Sequence, residues 1–181
     1  DELEELRRAA EEMEKEVREH VKRSEKNAKD LEKEVREHVK KLREVLRRLT
    51  EKVKRRGDER VIEDIRRTLK ELKDESDETE ERMRRNLEEN HRRTEESKRR
   101  LEEKLERLAR KVEEVKRKGI DKEKVDRVLE EITREVERLK KELDESNERL
   151  ERIVRKVIEE LRKVDEDAEE RVRRLEEEIR R

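Results

Sequence analysis

The chain has 181 residues, and 57 Lys and Arg stand against 58 Asp and Glu, so that 64% is charged while the net charge is −1. It holds no aromatic, proline or cysteine and only two glycines. This excludes a sheet built from β-branched and aromatic strands, a cofactor pocket lined by aromatics, a disulfide framework and a thiolate zinc site. No apolar run reaches membrane-spanning length and no targeting segment is recognisable, so a soluble protein is expected.

High charge can mean disorder, but here the charge is balanced and the few apolar residues are periodic. The first segment, about residues 2–56, carries Leu6, Met13, Val17, Ala28, Leu31, Val35, Leu42 and Leu49 at steps of three, four, seven and eleven. His20, Ser24 and His38 fall in the same stripe. Lys54, Arg55 and Arg56 then lead to Gly57, with Asp58 placed as the next N-cap. The second segment, about 59–118, has Ile62, Ile65, Leu69, Leu72, Met83, Leu87, Leu101, Leu108 and Val112 as its stripe, interrupted by Ser76, Thr79, Asn90, Thr94 and Ser97. It closes on Lys116, Arg117, Lys118 and Gly119, and Asp121 is placed to cap the third helix. That third segment, about 121–181, runs through Val125, Ile132, Val136, Leu139, Leu143, Leu150, Val157, Leu161 and Leu175, with Ser146 and Asn147 in the seam.

Three amphipathic helices joined by short loops must turn back on one another. The expected fold is therefore all-α: an up-down-up antiparallel three-helix coiled coil of long, nearly straight helices, one elongated domain over 1–181, with each helix about 85 to 90 Å long. A solitary helix held by i,i+4 ion pairs is the competing structure. It explains the seam poorly, because burying one Leu or Ile is worth roughly 1.5–3 kcal/mol and an exposed ion pair far less.

The stretch EKEVREHVK occurs at 14–22 and again at 32–40. Eighteen residues make five whole helical turns, so the copies share a face. The echo continues in Ser76 and Thr79 against Thr94 and Ser97, and in Asn147 against Asp165. Antiparallel folding about the two glycines brings residues of the first two helices level when their numbers sum to about 115, and of the last two when they sum to about 240. That places His20 beside Thr94 and Ser97, with Ser146 and Asn147 completing the layer. His38 falls beside Ser76 and Thr79, with Asp165 nearby. Between them, Ser24 and Asn27 face Asn86, Asn90 and His91.

A buried polar group without a partner costs roughly 1–3 kcal/mol, so layers of this kind persist when donors meet acceptors on neighbouring helices. Satisfied layers set helix register and pairing, as a buried Asn does in coiled coils. A second reading is a pH switch, because a buried imidazole resists a second proton; Asp165 would oppose that at His38. A Ser76, His38 and Asp165 triad can be drawn, but every nearby backbone N–H lies inside a helix and no oxyanion hole is expected. Glu88 and His91 make one Glu-x-x-His pair, which a Glu-rich chain produces by composition. Arginine clusters alternate with glutamates, so no basic stripe for nucleic acid forms. No catalysis, cofactor, metal or nucleic acid is expected, nor any required partner; a monomer is the expectation.

Glycines confined to helix stops, Gly-Asp loops, Glu, Lys and Arg at surface positions and an 18-residue repeat give the whole chain a style that resembles de novo designed, parametrically generated helical bundles with buried hydrogen-bond networks. The resemblance implies a structural scaffold whose network residues are His20, His38, Ser76, Thr79, Thr94, Ser97, Asn147 and Asp165, with Ser24, Asn27, Asn86 and Asn90 between them. A related branch of such designs uses buried histidines to respond to acid and, in some cases, to disrupt membranes; fewer histidines occur here. Spectrin-type repeats are similar in topology but have shorter helices and core tryptophans.

Overall fold

A computed structural model describes residues 2–181. It contains three α-helices, α1 (Glu2–Arg55), α2 (Glu59–Arg117) and α3 (Lys122–Arg180). The bounds lie within a residue of those expected from the stripes, and no strand occurs among the described residues. The chain is an all-helical three-helix bundle.

The second and third helices begin on a group that satisfies a free N–H donor. Asp58 Oδ1 accepts from Val61 N at 3.2 Å, and Asp121 Oδ1 accepts from Glu123 N at 3.1 Å. The two glycines, expected to stop helices in the same way, differ. Gly119 has φ +89°, the left-handed conformation that ends a helix cheaply only without a Cβ. Gly57 does not adopt positive φ. There, Arg56 N bonds Lys52 O at 2.9 Å and Asp58 N bonds Arg56 O at 3.0 Å, so the chain turns without the left-handed residue. The expectation of two equivalent glycine caps is therefore corrected at Gly57. Accordingly, Gly119→Ala is expected to destabilise by about 1 kcal/mol, the left-handed strain of an L-residue. Gly57→Ala, whose Cβ would meet Val53 O at 3.4 Å, an ordinary contact, should be neutral or stabilising by up to about 1 kcal/mol through the unfolded chain. Thermal unfolding of the two variants should separate them, with Gly119→Ala alone melting below the parent.

The described residues group into two compact units, and each contains a stretch of all three helices. The first comprises residues up to Asn27 together with Glu88–Leu150. Its core joins Leu6, Met13 and Val17 of α1 to Leu101 and Val112 of α2 and to Val136, Leu139 and Leu143 of α3, all 2% exposed or less. The antiparallel course of α2 and α3 is visible in its ion pairs: Lys116 meets Asp126, and Lys98, eighteen residues back on α2, meets Asp144, eighteen further along α3.

The second unit comprises Ala28–Leu87 and Glu151–Arg181. Leu46, Leu49 and Val53 pack on Ile65 and on Ala168, Val172 and Leu175. Lys73 bonds Glu169 at 2.7 Å, and Arg66, seven residues earlier, bonds Glu176, seven later, at 2.9 Å. On α1, Lys52 bonds Asp64 at 2.8 Å and Lys41 bonds Glu75. These bridges are solvent-exposed and worth at most about 1 kcal/mol each. The apolar seams supply the stability, and no large hydrophobic side chain is left exposed among the described residues.

Candidate functional site

Some of the polar seam residues form one bonded network in each unit. In the first unit, His20 is half-buried on α1 and its Nε2 lies 3.2 Å from Thr94 Oγ1 on α2. The Thr94 hydroxyl donates its one proton to Asn90 O, one turn back, at 2.8 Å. It can then only accept from the ring, so His20 carries its proton on Nε2. Asn90 Nδ2 donates to Asn147 Oδ1 of α3 at 2.9 Å, and both residues are buried. Asn147 Nδ2 lies 3.3 Å from His91 Nδ1, the ring accepting. The network thus links all three helices.

Asn147 was expected in the His20 layer; it bonds instead to Asn90 and His91, about one turn away along α2. Level arithmetic resolves height only to about a helical turn, and the carboxamide takes the partner that faces it. His91 is itself exposed, on the rim of that layer. Ser97 lies beside His20 in a shared cleft as a half-buried residue. Ser24 and Ser146 are buried, at 4% and 3% exposure, and Ser24 Oγ has no hydrogen-bond partner. Asn27 is half-buried.

In the second unit, His38 Nε2 lies 2.8 Å from Ser76 Oγ, and Ser76 Oγ donates to Asp165 Oδ1 at 2.8 Å. The carboxylate only accepts, so again the ring donates to the hydroxyl. This chain joins α1, α2 and α3 through one serine, as expected from the levels. Thr79, also buried, donates to Glu75 O at 2.9 Å within its own helix, and Asn86 is half-buried.

The direction of these bonds bears on chemistry. In a serine hydrolase the imidazole takes the hydroxyl proton and the carboxylate holds the other ring nitrogen. Here the hydroxyl sits between ring and carboxylate, its proton points at Asp165, and its lone pair is occupied by the ring N–H. The ring is not placed to act as base toward Ser76. Among the described residues, no group of three or more His, Asp or Glu is arranged to hold a metal ion. No described helix is long and apolar enough to cross a membrane.

Within the networks, His20 and Asp165 are shifted from their ordinary values for reasons the geometry supplies. Burial holds the His20 imidazolium below the ordinary histidine range, and the Arg93 and Arg23 guanidiniums push it further down. Burial raises the Asp165 carboxyl, against the opposing pull of the Ser76 hydroxyl and the His38 ring.

No protein-family model matches the chain, and no curated protein is similar to it. Among solved structures it is similar to a chain described as a computationally designed three helix bundle, with a TM-score of 0.62 and 21% identity. The match covers 98% of this chain and 79% of that one. The likeness is one of fold.

Proposed function

We propose that the chain is a designed, non-enzymatic structural scaffold in which buried polar layers specify how the three helices pair and in which register. The observation that carries this reading is the pattern of partners. His20–Thr94, Asn90–Asn147, His38–Ser76 and Ser76–Asp165 each join two different helices. A helix shifted by a turn would leave a carboxamide or hydroxyl buried and unbonded, at roughly 1–3 kcal/mol for each group. An apolar seam of interchangeable Leu, Val and Ile carries no such penalty against slippage. The solved bundle that shares the fold is described as computationally designed, which agrees with the style of the sequence.

The test replaces His20, Asn90, Thr94, Asn147, His38, Ser76 and Asp165 together by apolar residues. Under this reading the variant stays helical and becomes at least as stable, but loses the single set of sharp amide resonances, because several registers become equivalent. A variant that keeps one sharp set removes the register role from these layers.

The depressed His20 titration favours a second reading, a bundle that opens in acid and acts on membranes. The sign of the pH effect is fixed by the two shifts. His20 binds a proton less readily when folded, so its contribution to stability is present above about pH 6.5 and is lost as pH falls through the lowered folded value. Asp165 works the other way at lower pH, since its raised carboxyl favours the folded state when protonated. Both ring–hydroxyl bonds use an N–H that the imidazolium keeps, so protonation breaks neither. The expected outcome is a modest loss of stability as pH falls below about 6.5, with helicity retained. Circular dichroism with denaturant, alongside dye release from liposomes, measures it; cooperative loss of helix with release at pH ~5 would establish the acid-opening reading instead.

A further inference from the structure

The 18-residue repeat places one cleft between α1 and α2 in each unit, and the two clefts are built from equivalent positions. The first, about 320 Å³, lies between the arms of Glu16, Glu19, His20, Arg23, Arg93 and Arg100, with Glu96 and Ser97. The second, about 280 Å³, has Glu34, Glu37, His38, Lys41, Glu75 and Arg82 at the matching places, with Glu78 and Thr79. Among the lining residues one exchange changes the charge: Arg93 stands where the second cleft has Glu75.

The consequence is seen in the partners. In the second cleft both cations are satisfied, since Lys41 bonds Glu75 at 3.1 Å and Arg82 pairs with Glu34 at 2.7 Å. Glu37 and Glu78 remain, so the cleft is negative. In the first cleft Arg23 has no acid at the Glu75 position. Glu16, the counterpart of Glu34, is held through both oxygens at 2.8 Å by Lys104, where the repeat has Asn86. Arg100 thereby loses its acid as well. Glu96 faces Arg92 at 3.4 Å, and Arg93 bonds Glu89 at 2.9 Å. Among the described residues Arg23 and Arg100 have no ion pair, and Glu19 is the one cleft acid left without a cation. The cleft therefore keeps an unpaired positive charge and an open serine hydroxyl.

We propose that this cleft binds a small phosphate-type oxyanion, held by the Arg23 and Arg100 guanidiniums with the Ser97 hydroxyl. Guanidinium forks match tetrahedral oxyanions, and an arginine with no carboxylate of its own is free to bind one. His20 borders the same space. Its Nε2 is committed to Thr94, and a bound dianion favours a second proton on Nδ1, in opposition to burial, Arg93 and Arg23. Binding is thus coupled to protonation and tighter in mild acid. Glu16, Glu19 and Glu96 set the selectivity: they repel extended anionic surfaces, so the ligand is a free anion rather than a lipid headgroup.

The test titrates inorganic phosphate into the full chain at constant ionic strength, with chloride as control, while NMR follows the three histidine rings. The expected result is a saturable shift at His20, absent at His38, with affinity higher near pH 6 than near pH 8. Arg23→Gln with Arg100→Gln should weaken binding by about tenfold or more. Arg93→Glu, which restores beside Arg23 the acid that Glu75 supplies to Lys41, should weaken it to a similar degree; this second variant keeps the test intact if the first folds poorly by circular dichroism. A linear, unsaturable shift, an equal response at His38, or unchanged binding in the folded variants overturns the proposal. So does binding seen only to vesicles containing phosphatidic acid.

Discussion

Truncating Leu139 to alanine is expected to lower the unfolding free energy by about 2–5 kcal/mol, as for a fully buried leucine. Leu139 is 0% exposed, in the first unit's core with Met13, Val17, Leu101 and Val136. Removing its branched end forfeits transfer energy and leaves a cavity that neighbours on three helices cannot fill without moving their own helices. Removing the half-buried Lys98–Asp144 ion pair from the same unit should cost about 1 kcal/mol, because the Asp144 carboxylate stays largely open to water. Urea unfolding of Leu139→Ala beside Lys98→Ala measures both. Equal losses would mean that surface charge, rather than the seam, holds the bundle together.

The second large effect lies in the Asn90–Asn147 pair. Asn147→Leu alone should destabilise by about 1–3 kcal/mol, because the buried Asn90 carboxamide loses the acceptor of its 2.9 Å bond. The added apolar area does not offset a stranded amide. Asn90→Leu together with Asn147→Leu should recover most of the loss and can exceed the parent, since both polar groups then leave the interior together. The four stabilities form a double-mutant cycle whose coupling is expected at about 1–3 kcal/mol. A double variant that merely adds the two single losses would show that the amides do not satisfy one another. His91, the third member, sits on the exposed rim, and His91→Ala should change stability by no more than about 0.5 kcal/mol.

These two effects also mark how far linear order reaches. The stripes of Leu, Val and Ile specify helix, length and buried face, because a 3.6-residue period can lie on one side of a cylinder in only one way. Asp58 and Asp121 announce the helix starts by their chemistry. The meeting of His38, Ser76 and Asp165, and of His20 with Thr94, was legible from helical rise and the positions of the two loops. Asn147 was placed in the wrong layer because height is known only to a turn, while a 2.9 Å hydrogen bond is decided by azimuth and rotamer. Ser97 and Thr79 were read as network members on the same footing as Thr94 and Ser76. Thr79 bonds its own helix, and Ser97 faces a cleft.

A repeating period and a local cap, both present in the order of residues, determine three helices, their ends, their antiparallel course and the approximate height of each polar group. Tertiary structure alone decides which donor meets which acceptor. It sets His20 and His38 as donors to a hydroxyl, because Thr94 and Ser76 already direct their single proton elsewhere. It gives Gly119 a left-handed backbone and Gly57 none. It also leaves Arg23 and Arg100 without acids although the chain has nearly equal numbers of both charges. The physical reason is one of range: hydrophobic burial is non-directional and survives averaging over a whole helix face, whereas hydrogen bonds and ion pairs depend on ångström-scale placement that exists only once all three helices are packed.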